Sequence, residues 1–124
     1  MTAIKTLTTD DIAARFNVLA SEEKWFEIQD ELFSADVTSA DPEGSPYMGY
    51  AEGKAAVRKK GEDFVKEITA AHRLATGRPI VAGNHFAVTR ELDITHNKFG
   101  KIQIKQIMLY EVKEGQIISE QFFY

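Results

Sequence analysis

Three side chains in this 124-residue chain have the chemistry to move a proton or hold a developing negative charge: Asp41, Glu120 and Arg90. Asp41 stands just before Pro42 in the stretch Asp41-Pro42-Glu43-Gly44-Ser45-Pro46-Tyr47-Met48-Gly49, whose prolines and glycines exclude a regular element. Tyr47 and Met48 are large for a solvated connection, so the loop is expected to fold back over something apolar. Arg90 and Glu120, together with Gln106, interrupt otherwise apolar strand rows and should point into a hollow, with Asp41 at its mouth. A carboxylate partly shut away from water has a raised pKa and serves as a general acid or base near neutrality. A guanidinium beside it pulls that pKa down, or holds an anionic substrate or a developing enolate. Two plainer readings stand beside this one: a buried Arg90–Glu120 structural pair, and Asp41 as an ordinary Asx-turn residue.

The remaining polar residues exclude other chemistries. His72, His85 and His96 are 13 and 11 residues apart without a partnering acid at a ligand interval, and His85 and His96 fall on an outward row and a turn, so no metal site is expected. Ser39 and Ser45 lack a nucleophile-elbow context, no glycine-rich phosphate-cradling turn follows a strand, and nothing points to a cofactor. With no cysteine there is no disulfide framework and no thiol nucleophile, which suits a reducing cytoplasm. Fifteen basic against nineteen acidic residues give a net charge of −4 and argue against a nucleic-acid partner; Arg58-Lys59-Lys60 on a helix points three ways. Met1–Lys5 lacks the apolar run of a signal peptide, and no membrane-length apolar stretch follows.

The elements that must position these groups change period midway. Thr8 with Asp11 has capping-box spacing ahead of Ile12, Phe16 and Leu19, and predicts a helix over 9–20. Ser21-Glu22-Glu23 reads as a second cap, leading a helix over 22–34 with Trp25, Ile28 and Leu32 on one stripe. Gly53 precedes a third helix over 53–67, weakened slightly at Gly61. From Ala70 the period is two. Ala71–Ala75 reads as a short strand, Phe86, Val88, Arg90, Leu92 and Ile94 as an inward row, and Ile102, Ile104, Gln106, Met108, Tyr110 and Val112 as the next. The final strand carries Ile118, Glu120, Phe122 and Tyr124 on one face and Ile117, Ser119, Gln121 and Phe123 on the other. Three helices followed by an antiparallel meander make a single α+β domain over residues 1–124, its sheet curled over the helices.

The motifs Glu31-Leu32-Phe33-Ser34-Ala35-Asp36-Val37-Thr38, Ala40-Asp41-Pro42-Glu43-Gly44, Gly53-Lys54-Ala55-Ala56-Val57 and Tyr110-Glu111-Val112-Lys113-Glu114-Gly115-Gln116-Ile117-Ile118-Ser119-Glu120 resemble the SnoaL-like branch of the nuclear transport factor 2-like superfamily. The resemblance covers nearly the whole chain and implies a cone-shaped α+β barrel. It puts Asp41 at the general-base aspartate of ketosteroid isomerase, Phe16 at its oxyanion-hole tyrosine and Met108 at its protonated aspartic acid. With both donors replaced, it does not carry steroid isomerisation to this chain. An acidic residue on a late strand does acid/base work in polyketide cyclases of the SnoaL type, a part that Glu120 would take.

The expected function is therefore small-molecule binding, with acid/base chemistry of an isomerase, cyclase or lyase type on a small apolar carbonyl compound. The alternative is a non-catalytic ligand-binding or dimerisation domain of the same fold. Phe86, Val88, Met108, Tyr110, Phe122 and Tyr124 are expected to line the hollow, with Gln106 among them and Tyr47 and Met48 at the rim; Phe16 and Trp25 are further candidates from the helices, core being the plainest role for Trp25. Ile107, Leu109, Ile117 and Phe123 are apolar yet outward, which marks the outer sheet face as a homodimer interface; the resemblance implies the same.

Overall fold

The Thr8 hydroxyl accepts from the Asp11 backbone while the Asp11 carboxylate accepts from the Thr8 backbone, and this reciprocal cap starts helix α1, Thr9–Ser21. The computed structural model describes residues 6–124; Met1–Lys5, read above for the absence of a leader, lie outside them. The apolar stripe of α1 buries Ile12, Phe16 and Leu19. The expected cap at Ser21 is not one: Ser21 closes α1 with its hydroxyl on the Val18 carbonyl, Glu23 follows at φ 58°, and α2 runs only over Trp25–Leu32.

The main correction follows directly. Residues read as the end of a helix and the start of a loop form a strand, β1, Phe33–Ala40, paired antiparallel with a short β2, Tyr50–Glu52. Val37 and Ser39 face inward and Thr38 and Ala40 less so, the period of two that decides for strand over helix. Gly53, at φ 91°, leads into α3, Lys54–Val65. The remaining strands are β3 (Ile68–Thr76), β4 (Ile80–Ala82), β5 (His85–His96), β6 (Gly100–Lys113) and β7 (Gln116–Phe123). The sheet runs β2-β1-β7-β6-β5-β3, with β4 paired to β5. It is antiparallel except where β1 lies parallel to β7, so the meander expected from residue 70 onwards is completed by strands that come before α3.

The long pairing of β5 with β6 holds Phe86 opposite Tyr110, Val88 opposite Met108 and Arg90 opposite Gln106, as the alternating rows require. The last strand departs from simple alternation. Glu111 pairs with Ser119 but Val112 pairs with Ile117, so Ile118 is an extra residue at a bulge. The phase change turns Ile117 into the core alongside Glu120 and removes it from the expected outer patch. His96, read as a turn residue, is also buried: Phe64 and Phe99 pack against its ring at 4.7 and 4.8 Å.

The result is an α+β fold in which three helices pack on a large, curved, unclosed sheet. Phe16 sits at its centre, fully buried, with ring centroids 4.8 Å from Tyr110, 5.2 Å from Phe86 and 5.8 Å from Trp25. Truncating it removes contacts to both layers at once. Phe16→Ala is expected to lower stability by about 3–5 kcal/mol in urea unfolding; a loss below about 1 kcal/mol would show that the layers meet elsewhere.

Candidate active site

Helices α2 and α3 do not close over the sheet, and between them lies a cavity of about 420 Å³. Its wall is built mainly from Trp25, Phe26, Ile28, Phe64, Leu92, Met108 and Phe122, with Met48 supplied by the loop after β1. The polar residues on this wall are Glu23, Glu27, Gln29, Ser39, Lys60, Arg90, Tyr110 and Glu120. Gly61 also lines it; a methyl group there would come 3.2 Å from Cε1 of the Phe26 ring.

Glu120 is the carboxylate that the fold shuts away from water, at 7% exposure. The parallel junction places Ser39 beside it, and the Ser39 hydroxyl donates to Glu120 Oε1 at 2.8 Å. The Tyr110 hydroxyl lies between the Met108 sulfur, 3.8 Å away, and the same carboxylate. Burial drives the Glu120 pKa upward; the Ser39 hydrogen bond, the Lys60 charge and Tyr110 offset this only in part, nearby Asp41 adds to the rise, and the value settles at about 7. Burial, reinforced by the Glu120 charge, pushes the Tyr110 hydroxyl well above its ordinary value.

Arg90 does not pair with Glu120. Its Nη1 and Nη2 each donate to one oxygen of Glu23 at 2.9 Å, Nη1 also meets Thr76 Oγ1 at 3.0 Å, and the guanidinium lies 4.5 Å above the Trp25 ring. Burial raises the Glu23 pKa, but hydrogen bonds from Arg90 and Trp25 and the Arg90 charge outweigh that and hold it below the usual carboxylate range. Glu23 lies outside any regular element, in the left-handed turn between α1 and α2, where sequence pattern marks no partner for a strand arginine.

Asp41 is almost fully covered at its side chain, yet it does not line the cavity. It pairs with Lys60 Nζ at 2.6 Å and accepts from the Tyr124 hydroxyl at 2.5 Å, which in turn contacts Ser45 Oγ at 2.6 Å. Burial and the Asp41 contact together raise the Tyr124 pKa. Lys60 Nζ also donates to Ser39 Oγ at 3.0 Å, so a single hydroxyl links the cation to Glu120. Sequence reasoning passed over Lys60. In the triplet Arg58-Lys59-Lys60, Arg58 binds Asp30, Lys59 binds Asp63, and Lys60 alone turns to the cavity.

Of the other expected lining residues, Trp25, Met48, Met108, Tyr110 and Phe122 reach the wall. Phe16, Phe86 and Val88 belong to the solid core beneath it, Gln106 is partly exposed on the far stretch of β6, and Tyr47 and Tyr124 pack on each other outside it at 6.3 Å. Among the described residues no three of His, Asp and Glu gather to hold a metal ion, and no helix is long and apolar enough to cross a membrane.

A curved sheet holding three helices around a cavity at its open side defines the nuclear transport factor 2-like class of fold. A model of the SnoaL-like domain matches residues 7–124, and the chain belongs to that family. Among solved structures, a protein of Mesorhizobium loti described as a candidate SnoaL-like polyketide cyclase is 27% identical, with 95% of this chain and 100% of that one covered and a TM-score of 0.88. A nuclear transport factor 2-like protein of Burkholderia thailandensis matches at 14% identity, 97% and 91% coverage and a TM-score of 0.76. A second candidate SnoaL-like polyketide cyclase, from Jannaschia sp. CCS1, matches at 12% identity, 99% and 90% coverage and a TM-score of 0.71. Among curated protein sequences, none matches the chain.

The raised Glu120 pKa has a measurable consequence. The unfolded chain releases this proton near the ordinary value of 4.5, whereas the folded protein keeps it up to about 7. The stabilising contribution is therefore complete below the unfolded value and is lost as pH rises through the folded one. Relative to Glu120→Gln, the wild-type protein should lose on the order of 3 kcal/mol of stability between about pH 4.5 and pH 8. Chemical unfolding across that range checks it, and a difference that is flat with pH refutes the assignment.

Proposed function

We propose that the protein is an acid/base enzyme of the SnoaL-like family, in which Glu120 transfers a proton at carbon next to the carbonyl group of a small, largely apolar molecule held in the cavity. The observation that carries this reading is the buried Glu120 carboxyl on the cavity wall with a pKa of about 7, near the operating pH that general catalysis favours. Ser39 and Tyr110 hold the carboxyl in one orientation, so little reorganisation accompanies proton transfer. Taking a proton at one carbon and returning it at another isomerises a substrate; returning it after a bond has closed or broken gives cyclisation or elimination. The resemblance to the Mesorhizobium loti protein supports a reaction of this kind. Asp41, the other carboxylate expected to serve as base, is assigned no proton transfer with substrate, since it meets the cavity only through Lys60.

A second reading is a non-catalytic ligand-binding domain. It is favoured by Arg90, whose charge is already matched by Glu23 within the protein and whose Nη1 is also held by Thr76. Hydrogen–deuterium exchange separates the two. With 2-tetralone as a probe in deuterated buffer, the wild-type protein should accelerate exchange of the protons flanking the carbonyl, rising through a midpoint near pH 7, and Glu120→Gln should return the rate to that of buffer. An unaccelerated rate, or one unchanged in the variant, favours the binding reading.

We also propose that two copies associate through the outer sheet face, and the absence of cysteine fits a cytoplasmic setting. Ile107 and Phe123 pair across β6 and β7 on that face, 51% and 52% exposed, with Leu109 next in the row. Light scattering at micromolar concentration should give a dimer mass, shifted towards monomer by Leu109→Glu; a monomeric wild type refutes the interface.

A further inference from the structure

The proton-transfer reading leaves open what receives the negative charge that forms on the substrate oxygen. The groups expected to do so are engaged with other protein groups or lie outside the cavity. Both terminal nitrogens of Arg90 are held by Glu23 and Thr76, the Tyr124 hydroxyl is held by Asp41 and Ser45 outside the cavity, and Gln106 does not line it. Lys60 differs from all three. It lines the cavity, and its ammonium has three protons to donate. One goes to Asp41 at 2.6 Å and one to Ser39 Oγ at 3.0 Å, whereas the third meets nothing closer than the Ser39 carbonyl at 3.4 Å. The Phe122 ring, 5.4 Å from Nζ, forms the apolar wall beside it.

Resting on the reading of Glu120 as base, we propose that Lys60 is a second catalytic residue, whose ammonium holds the substrate oxygen as it becomes an enolate. The geometry that carries this is the shared hydroxyl. Lys60 donates to Ser39 Oγ and Ser39 donates to Glu120, so base and cation are no further apart than two hydrogen bonds laid end to end. A carbonyl oxygen and a proton on the adjacent carbon lie closer together than that, and with a hydrogen-bond length added at each end one molecule can bridge both groups. The step balances within the site. The Glu120 oxygen forms a bond to the proton, the electrons of the broken C–H bond become a C=C bond, and the carbonyl π electrons move to oxygen. Negative charge thus passes from Glu120 to a point beside Lys60, with no oxidant or further reactant required. Asp41 neutralises the ammonium at rest, which lets a cation remain in a largely apolar cavity without a ligand. The substrate class narrows accordingly to small molecules, apolar over most of their surface, with an enolisable carbonyl or an acidic enol at one end.

The test uses 4-nitrophenol, whose ionised form absorbs in the visible, as a stand-in for the enolate. At a pH where the free phenol is mostly neutral, wild-type protein and Glu120→Gln should both bind it in its ionised form. Lys60→Met leaves Asp41 buried and uncompensated, so the double variant Lys60→Met/Asp41→Asn, which removes both charges, is measured beside it after its fold is checked by circular dichroism. The double variant should bind the probe neutral, with affinity for the ionised form down about tenfold or more, and its 2-tetralone exchange should fall about 100-fold. Ionised probe bound equally well by the double variant, or not bound by the wild type, overturns the role of Lys60. That result leaves the Glu120 exchange experiment standing, and failure of Glu120→Gln to slow exchange would overturn the base without altering the probe result.

Discussion

The hydrogen bond from Ser39 to Glu120 is the contact around which the polar part of this protein is arranged. It exists because β1 runs parallel to β7, the one parallel junction in the sheet, and brings residues 81 positions apart into register. A carboxyl enclosed without that donor would have no partner on β1, and the ammonium of Lys60 would lose the oxygen that ties it to the sheet. Three segments distant in sequence, β1, α3 and β7, therefore meet at a single hydroxyl. Burying so polar a cluster is unfavourable for an isolated group and tolerable for a connected one, since Lys60 is joined to Asp41 and Ser39, and Ser39 to Glu120.

A second polar clamp, between Arg90 and Glu23, does a different job. It joins the connection between α1 and α2 to the middle of β5, and the stacking of the guanidinium on Trp25 covers the same contact from the helix side. The carboxylate is partly exposed while the guanidinium is buried, so most of the cost of removing charge from water falls on the arginine. Its bidentate geometry matches the planar fork and offsets that cost. The clamp fixes one wall of the cavity, whereas the Ser39 cluster fixes the other.

Much of the architecture was legible because period-two rows and capping signals are local. The rows of β5 and β6, the capping box at Thr8 and the irregular stretch from Asp41 to Gly49 need no knowledge of distant residues. What escaped depends on partners far away. Phe33–Ala40 follows a helix without a break in composition, and its strand character is decided by pairing to β2 and β7. The bulge at Ile118 inverts the phase of part of β7, so the reading that sent Ile117 outward was undone by one extra residue, while Glu120 kept its inward place. Arg90 was rightly placed in an inward row but assigned the wrong partner, because an acid in an irregular turn carries no periodic signature. Lys60 was hidden for a related reason: a run of three basic residues on a helix looks like a solvated face until the loop after β1 supplies an acid beneath it.

Gly61, next to that lysine, looked in sequence only like a weak point in α3. Its missing side chain leaves room for the Phe26 ring, and a methyl group there would stand 3.2 Å from Cε1 of that ring, which would have to yield by a few tenths of an ångström. The wall at this point is thus shaped by an atom the chain lacks. Lys60 and Gly61 both line the cavity, so α3 turns its one inward cation and its smallest side chain to the same wall in succession.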